Sequence, residues 1–334
     1  MIGKKPPNQL KQEIAWLKRE KYGLGEVQLQ VSPKLDFAQA RQFKKDLERL
    51  NDGEPLDYVI GWRDFLGCRI DLSAKPLIPR AETEFWVEQA IKELGEMGEA
   101  VRRDRFLCNE MGSRKTKTGV RNHFNFAKPN KATCEVAFSS TKNDFSRPLR
   151  VLDLFAGSGC IGLAVLKHCP NAHVTFGEKD PKLCAQIKKN LKLNQIPASR
   201  AKVSQTNLFK PYLSKFDFDT LQKGGKLDRF DVVLANPPYV PTRKSKVQKS
   251  VKDWEPKEAL FAGNDGLVII KKFLKQARLH LESACPERSR RGKIYLEFGY
   301  GQKLAITKLL KQFGYSNWQF HQDQFGKWRW VVVE

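Results

Sequence analysis

Val151-Leu152-Asp153-Leu154-Phe155-Ala156-Gly157-Ser158-Gly159-Cys160-Ile161-Gly162-Leu163-Ala164 decides the fold. A short apolar run passes into glycines and then into an amphipathic stretch, which predicts a buried strand, a tight turn and a helix. Glycine lets the backbone of such a turn come close to a ligand. The Gly-Ser-Gly spacing lacks the third glycine of the dinucleotide fingerprint. The next strand, expected over His173-Val174-Thr175-Phe176-Gly177, ends at Glu178, where a carboxylate can accept both hydroxyls of a ribose.

Farther along, Phe230-Asp231-Val232-Val233-Leu234-Ala235 reads as a strand buried on both faces. It runs directly into Asn236-Pro237-Pro238-Tyr239, placing an amide, two rigid prolines and an aromatic ring at one sheet edge. The plain reading is a strand followed by a Pro-rich turn. The chemical reading is a seat for a planar nitrogen. The Asn236 oxygen and a backbone carbonyl can accept both hydrogens of an NH2 group, with the flat face of Tyr239 beneath it. Consecutive prolines fix φ and remove two backbone donors, so the carbonyls stand without competing N–H groups. Glycine turn, acidic strand end and Asn-Pro-Pro-Tyr, in that order, describe an adenosylmethionine-dependent methyltransferase better than a dehydrogenase.

With these motifs the chain resembles the protein-glutamine N5-methyltransferase family that modifies peptide chain release factors. The resemblance extends through Gly53-Glu54-Pro55-Leu56-Asp57-Tyr58-Val59-Ile60-Gly61, Leu77-Ile78-Pro79-Arg80-Ala81-Glu82-Thr83-Glu84 and Glu255-Pro256-Lys257-Glu258-Ala259-Leu260. It continues through Gly263-Asn264-Asp265-Gly266-Leu267, Leu296-Glu297-Phe298-Gly299, Gln302, Asp323, Gly326 and Arg329. Most of residues 53 to 334 is covered in the family's order. General amino-methyltransferases share Asn-Pro-Pro-Tyr; the segment from Leu77 to Glu84 is far more specific.

The resemblance implies an α/β fold, a doubly wound Rossmann-like class I methyltransferase domain with a small helical N-terminal domain. Residues 1–54 would be a helical substrate-recognition module, 55–76 a hairpin linker, and 77–334 the catalytic domain with a mostly parallel sheet and an antiparallel last strand, Trp328 to Val333. S-adenosylmethionine would lie across the strand ends, with Phe155, Ala156, Gly157, Ser158 and Gly159 around its amino-acid portion. Glu178 would take the ribose, Asn207 and Leu208 would border the adenine, and Asn236 would stand between cofactor and acceptor. Asn236, Pro237 and Tyr239 would be catalytic, and Pro238 would join them in binding the substrate side chain. The implied reaction is methylation of the glutamine in the Gly-Gly-Gln motif of release factors. A ribosomal-protein glutamine methyltransferase and an N6-adenine DNA or RNA methyltransferase are the alternatives.

Three features depart from the family pattern. Ala81 stands where the family usually has proline, and Asn207 where it often has a carboxylate; the Asn207 oxygen can still accept from the adenine amino group. The third is an insertion at about 100–148. From Val101 to Arg150 there are 12 Lys or Arg and 4 Asp or Glu, with little periodicity. It reads as a surface loop, with weak RNA or ribosome contact as the alternative. A shorter charged stretch, Ala284 to Gly292, reads as a solvated loop.

A chain of 334 residues suits a catalytic domain plus a smaller module. No apolar run reaches the ~20 residues that cross a bilayer, and no signal-peptide centre is seen, so a cytoplasmic protein without membrane contact is expected. Sixty basic and 37 acidic residues give a net charge of +23. A field of that sign draws polyanions or an acidic protein partner and does not choose between them. Seven scattered cysteines without a Cys-x-x-Cys pair suggest reduced, packed thiols, and no metal site is expected.

Before residue 54 two helices are predicted. Leu10, Ile14 and Leu17 share a face of the first; the second is expected from Ser32 as N-cap and Pro33, with Ala40, Phe43, Leu47 and Leu50 on one face and Asn51-Asp52-Gly53 at its end. Residues 55–76 alternate apolar and polar positions as a hairpin should, and a helix follows from about Glu82 to Leu94.

Overall fold

The computed structural model describes residues 5–24, 35–95, 148–209, 229–243, 247–281 and 292–334. The basic insertion and the stretch from Ala284 to Arg291 fall outside the described residues.

Two helices, α1 (Pro7–Tyr22) and α2 (Phe37–Asn51), come first. Leu17 and Leu50 are buried between them with Val59, and Leu10, Ile14 and Phe43 pack alongside. The start of α2 corrects the sequence reading. Its N-cap is Asp36, whose side chain accepts from the Gln39 N–H while the Gln39 side chain accepts from the Asp36 N–H, a reciprocal capping box. Ser32 and Pro33 lie outside the described residues. Ala40 is exposed rather than part of the apolar face, and the fully buried Asp46 takes a place in the interface. Burial of that carboxylate is offset by Tyr22 Oη at 2.8 Å, Gln42 Nε2 at 3.0 Å and the Lys21 ammonium at 2.8 Å.

Residues 55–76 contain a short helix, α3 (Leu56–Ile60), before the hairpin of β1 (Trp62–Phe65) and β2 (Cys68–Asp71). Alternation alone predicts only the hairpin. Leu56, Val59 and Ile60 follow helical spacing and cover the end of the α1–α2 pair, which favours a turn of helix there. The next helix, α4, covers residues 81–95.

Seven strands form the main sheet: β3 (Leu149–Leu154), β4 (Ala172–Glu178), β5 (Ala201–Gln205), β6 (Val232–Ala235), β7 (Lys293–Glu297), β8 (Trp318–Gln322) and β9 (Trp328–Val333). Their spatial order is β5-β4-β3-β6-β7-β9-β8; the first five are parallel, and β9 is antiparallel to both neighbours. Strand order reverses between β3 and β6, and a crevice at such a switch point lies beyond the carboxyl ends of the strands. The glycine turn follows β3 and Asn-Pro-Pro-Tyr follows β6, so the register that pairs Leu154 with Ala235 brings the two motifs side by side.

β3, β6 and β7 carry apolar residues on both faces, whereas β4 buries Ala172, Val174 and Phe176 on one face only. Val151, Val174, Leu234 and Tyr295 pack on one side with α5 (Cys160–His168), α6 (Pro181–Leu193) and α4. Leu152, Val233, Leu296 and Val331 pack on the other with Ile270, Phe273 and Leu274, which belong to the helix Val268–His280, and with Ile306 and Leu310 of the helix Lys303–Gln312. This is the doubly wound, Rossmann-like α/β arrangement that the resemblance implies.

Candidate active site

The turn after β3 is built from left-handed backbone. Phe155, Gly157 and Gly159 all have positive φ, at 64°, 55° and 81°. At Gly157 an added Cβ would meet only the Phe155 carbonyl at 3.9 Å, so this side of the turn is open. Gly162 serves packing instead: a Cβ there would lie 2.4 Å from the Phe176 ring, and its absence lets α5 settle onto β4. Asn190 of α6 supports the turn from behind, donating to the Ser158 carbonyl at 2.9 Å and accepting from the Asp71 N–H at 2.9 Å. One buried amide thus joins α6, the hairpin and the glycine turn. Burial pushes the Cys160 thiol up to about 12, so it packs as an inert apolar group.

Glu178 ends β4 as expected, with its carboxylate already engaged. Oε2 accepts from the Gly157 N–H at 2.8 Å, and Oε1 accepts from the N–H groups of Lys179 and Asp180 at 2.7 and 2.9 Å. A carboxylate offers about four acceptor positions, so about one remains for an incoming hydroxyl, not the two that a doubly bonded ribose would use. Asp153, beneath the turn, is fully buried. Its carboxylate accepts from the Gly162 N–H at 2.9 Å, while Oδ1 has no partner among the described residues. Burial, with a smaller contribution from the Glu178 charge and against the Gly162 bond, pushes its pKa up to about 7. An orphaned buried acceptor beside an open glycine turn is where a cationic group of a ligand fits.

Leu208 adopts φ 62° and is half-buried; Asn207 is exposed. The turn that carries them is pinned at Thr206, whose N–H donates to the Glu178 carbonyl at 2.7 Å and whose hydroxyl donates to the Leu208 carbonyl. Strained non-glycine backbone at both Phe155 and Leu208 costs on the order of 1–3 kcal/mol each and recurs where a site must be shaped in advance.

On the β6 side, Pro237 is buried, while Asn236, Pro238 and Tyr239 are half-buried. Tyr239 Oη donates to Glu297 Oε1 at 3.0 Å, and its carbonyl accepts from Gln302 Nε2 at 3.0 Å. Burial and the adjacent Glu297 carboxylate push the phenol well up, which keeps it a donor. Glu297 is itself buried at the end of β7. Its Oε2 accepts from Thr83 Oγ1 at 2.8 Å and from Trp86 Nε1 at 2.6 Å. Asn236 Nδ2 lies 3.3 Å from Thr83 Oγ1. Thr83, Trp86 and Glu297 surround Asn236 and Tyr239, and the motif reading did not single them out. Thr83 and Glu297 lie inside segments quoted for the resemblance, but nothing local marks them as a pair.

The resemblance segments also meet one another. Glu255, buried, accepts from the Ile78 N–H at 3.1 Å and pairs with Arg80 at 2.6 Å, which fixes the loop leading into α4 against the segment that begins at Glu255. Among the described residues no helix is long and apolar enough to cross a membrane.

The family model described as conserved hypothetical protein 95 matches residues 109–313. The release factor glutamine methyltransferase of Flavobacterium psychrophilum is 28% identical over 314 residues, covering 93% of this chain and 86% of that protein. The protein of the same name from Thermodesulfovibrio yellowstonii is 29% identical over 304 residues, 91% of this chain and 84% of its own. That from Lactococcus lactis subsp. lactis is 29% identical over 289 residues, 86% and 80% of the two chains.

Proposed function

The chain belongs to the family described as conserved hypothetical protein 95, and from that premise we propose that it methylates the side-chain amide nitrogen of a glutamine in peptide chain release factors, with S-adenosylmethionine as the methyl source. The observation that carries the reading is the placement of Asn236-Pro237-Pro238-Tyr239 beside the glycine turn at the switch point, with no described protein donor on Asn236 Oδ1. The names of the relatives, which align over most of their length, support the glutamine acceptor.

The residues present suit the cofactor. The open turn at Phe155 to Gly159 would take its amino-acid portion, and the orphaned Asp153 Oδ1 would supply an acceptor for an ammonium group. Glu178 would accept one ribose hydroxyl, and Leu208 would face the adenine, with the exposed Asn207 at its border. When bound, adenosylmethionine supplies a methyl group on a positively charged sulfur.

A glutamine amide is a poor nucleophile because its lone pair is delocalised into its carbonyl. Asn236 Oδ1 and the Pro237 carbonyl accept its two hydrogens, orient the nitrogen and favour its pyramidal form, while Tyr239 supports the amide plane. Positioning of this kind contributes several kcal/mol. No general base is required beforehand, since the alkylated nitrogen becomes acidic and releases its proton to water.

Incubation with labelled cofactor and, separately, purified release factors, ribosomal proteins and nucleic acids tests the reading. Label is expected on the glutamine of a release factor with the wild-type protein and not with a folded Asn236→Ala variant. Label on a nucleic acid alone would reassign the acceptor to adenine; full activity of Asn236→Ala would remove the mechanism.

A further inference from the structure

The Asn236 side chain can present either its oxygen or its NH2 to an incoming group, and only the oxygen accepts the hydrogens of an amide. What selects the orientation is a chain of donors and acceptors that ends at Glu297. Three groups converge on this buried carboxylate: Thr83 Oγ1, Trp86 Nε1 and Tyr239 Oη, at 2.8, 2.6 and 3.0 Å. An indole N–H only donates, and the Tyr239 phenol keeps its proton, so two of the three directions are fixed. Burial pushes the Glu297 carboxyl up, against its hydrogen bonds from Trp86, Thr83 and Tyr239 and the Arg329 charge, and Oε2, already an acceptor from Trp86, receives the third from Thr83. Thr83 has a single hydroxyl proton, and that proton is committed to Glu297. Its oxygen can then serve a neighbour only as an acceptor.

That neighbour is Asn236, 3.3 Å away. With its NH2 toward Thr83 every group is paired. With its oxygen toward Thr83, two acceptors face each other and the Thr83 proton cannot serve both, which leaves a polar atom unpaired next to the site. We infer that Thr83 is a positioning residue: by donating to Glu297 and accepting from Asn236 Nδ2, it turns Asn236 Oδ1 toward the acceptor nitrogen. Trp86 and Tyr239 support the direction of the chain by donating to Glu297 as well, one on each oxygen. The effect on catalysis rests on the reading of the acceptor as a side-chain amide; the orientation of Asn236 does not.

Two arms separate these claims. The first uses no substrate. In protein labelled with 15N at asparagine, the side-chain signal of Asn236, assigned by its loss in Asn236→Asp, should show one hydrogen protected from exchange in wild type and in Thr83→Ser. In Thr83→Val, which keeps the shape but has no hydroxyl, that protection should disappear. Equal exchange of the Asn236 hydrogens in wild type and Thr83→Val overturns the inference.

The second arm measures methyl transfer to a release factor. Thr83→Val should lower kcat on the order of 10- to 100-fold, as expected for a misaligned acceptor, with cofactor affinity unchanged, and Thr83→Ser should restore it. In an Asn236→Asp background the side chain has two like oxygens and nothing to orient, so Thr83→Val should cause no further loss. An equal loss in both backgrounds, or no loss in either, refutes a positioning role. If wild type methylates no release factor, the substrate reading fails, and the exchange measurement still decides the orientation.

Discussion

Gly266→Ala tests how the acceptor motif is held in place. Gly266 has φ +75°, and an added Cβ would lie 2.1 Å from the Tyr239 carbonyl oxygen and 2.8 Å from Gln302 Nε2. The backbone conformation alone costs an L-residue roughly 1–2 kcal/mol. The contact is a separate cost. Carbon and oxygen stay roughly 3.3 Å apart even in close C–H···O contacts, so the Tyr239 carbonyl must retreat by about 1 Å. It would move away from Gln302, whose Nε2 donates to both the Tyr239 and the Asp265 carbonyls, at 3.0 and 3.2 Å. Overpacking of this kind adds about 1–3 kcal/mol, for a total loss of about 2–5 kcal/mol. A shift of about 1 Å in a positioning group costs on the order of 100-fold in rate. Gly23→Ala supplies the reference, because Gly23 has φ +67° and nothing within 4 Å of an added Cβ. Urea unfolding, initial rates of methyl transfer and calorimetry of cofactor binding are compared for the two variants. Gly23→Ala is expected to lose only the conformational part and to keep the wild-type rate. Gly266→Ala is expected to lose more stability and most of kcat while still binding cofactor. Matching stability and rate in the two variants would refute the clamp on Tyr239.

Three further outcomes are expected. Glu178→Ala removes the acceptor for three backbone N–H groups and for the proposed ribose hydroxyl, so it should weaken cofactor binding by about 1–3 kcal/mol and lower the unfolding midpoint; unchanged affinity by calorimetry would leave Glu178 as a turn support only. Burial raises Asp153 from 3.8 to about 7, so the folded protein holds a proton that the unfolded chain releases; this contribution to stability is complete below about 3.8 and lost as pH rises through about 7. Asp153→Asn should flatten that part of the stability–pH curve, and a curve parallel to wild type would contradict the assignment. Deleting residues 100–148 should leave methylation of a release factor intact; loss of that activity, together with a lower salt dependence of substrate binding, would point to phosphate contacts and a nucleic-acid acceptor.

The parts of this protein that were legible in the amino-acid sequence are those set by neighbours along the chain. The strand, glycine turn and helix from Val151 to Ala164 are such a unit, because apolar runs and glycines act within a few residues. The same holds for Asn236-Pro237-Pro238-Tyr239, whose prolines constrain the backbone wherever the segment lies. Even locally the reading can miss: Ser32-Pro33 reads as the helix start, and the reciprocal side-chain bonds of Asp36 and Gln39 place it at Asp36.

What only the tertiary structure decided is which buried polar groups face each other. Thr83 and Trp86 stand 214 and 211 residues from Glu297, and Asn190 stands 119 residues from the Asp71 N–H that it accepts. Periodicity marks a position as buried or exposed, but it carries no information about the partner that compensates a buried carboxylate or amide. That partner is chosen when the sheet order brings β7, α4 and the end of β6 together. Among the buried groups between them each proton has one place to go, and the direction of the hydrogen bonds, including the one that aims Asn236, follows from the whole set.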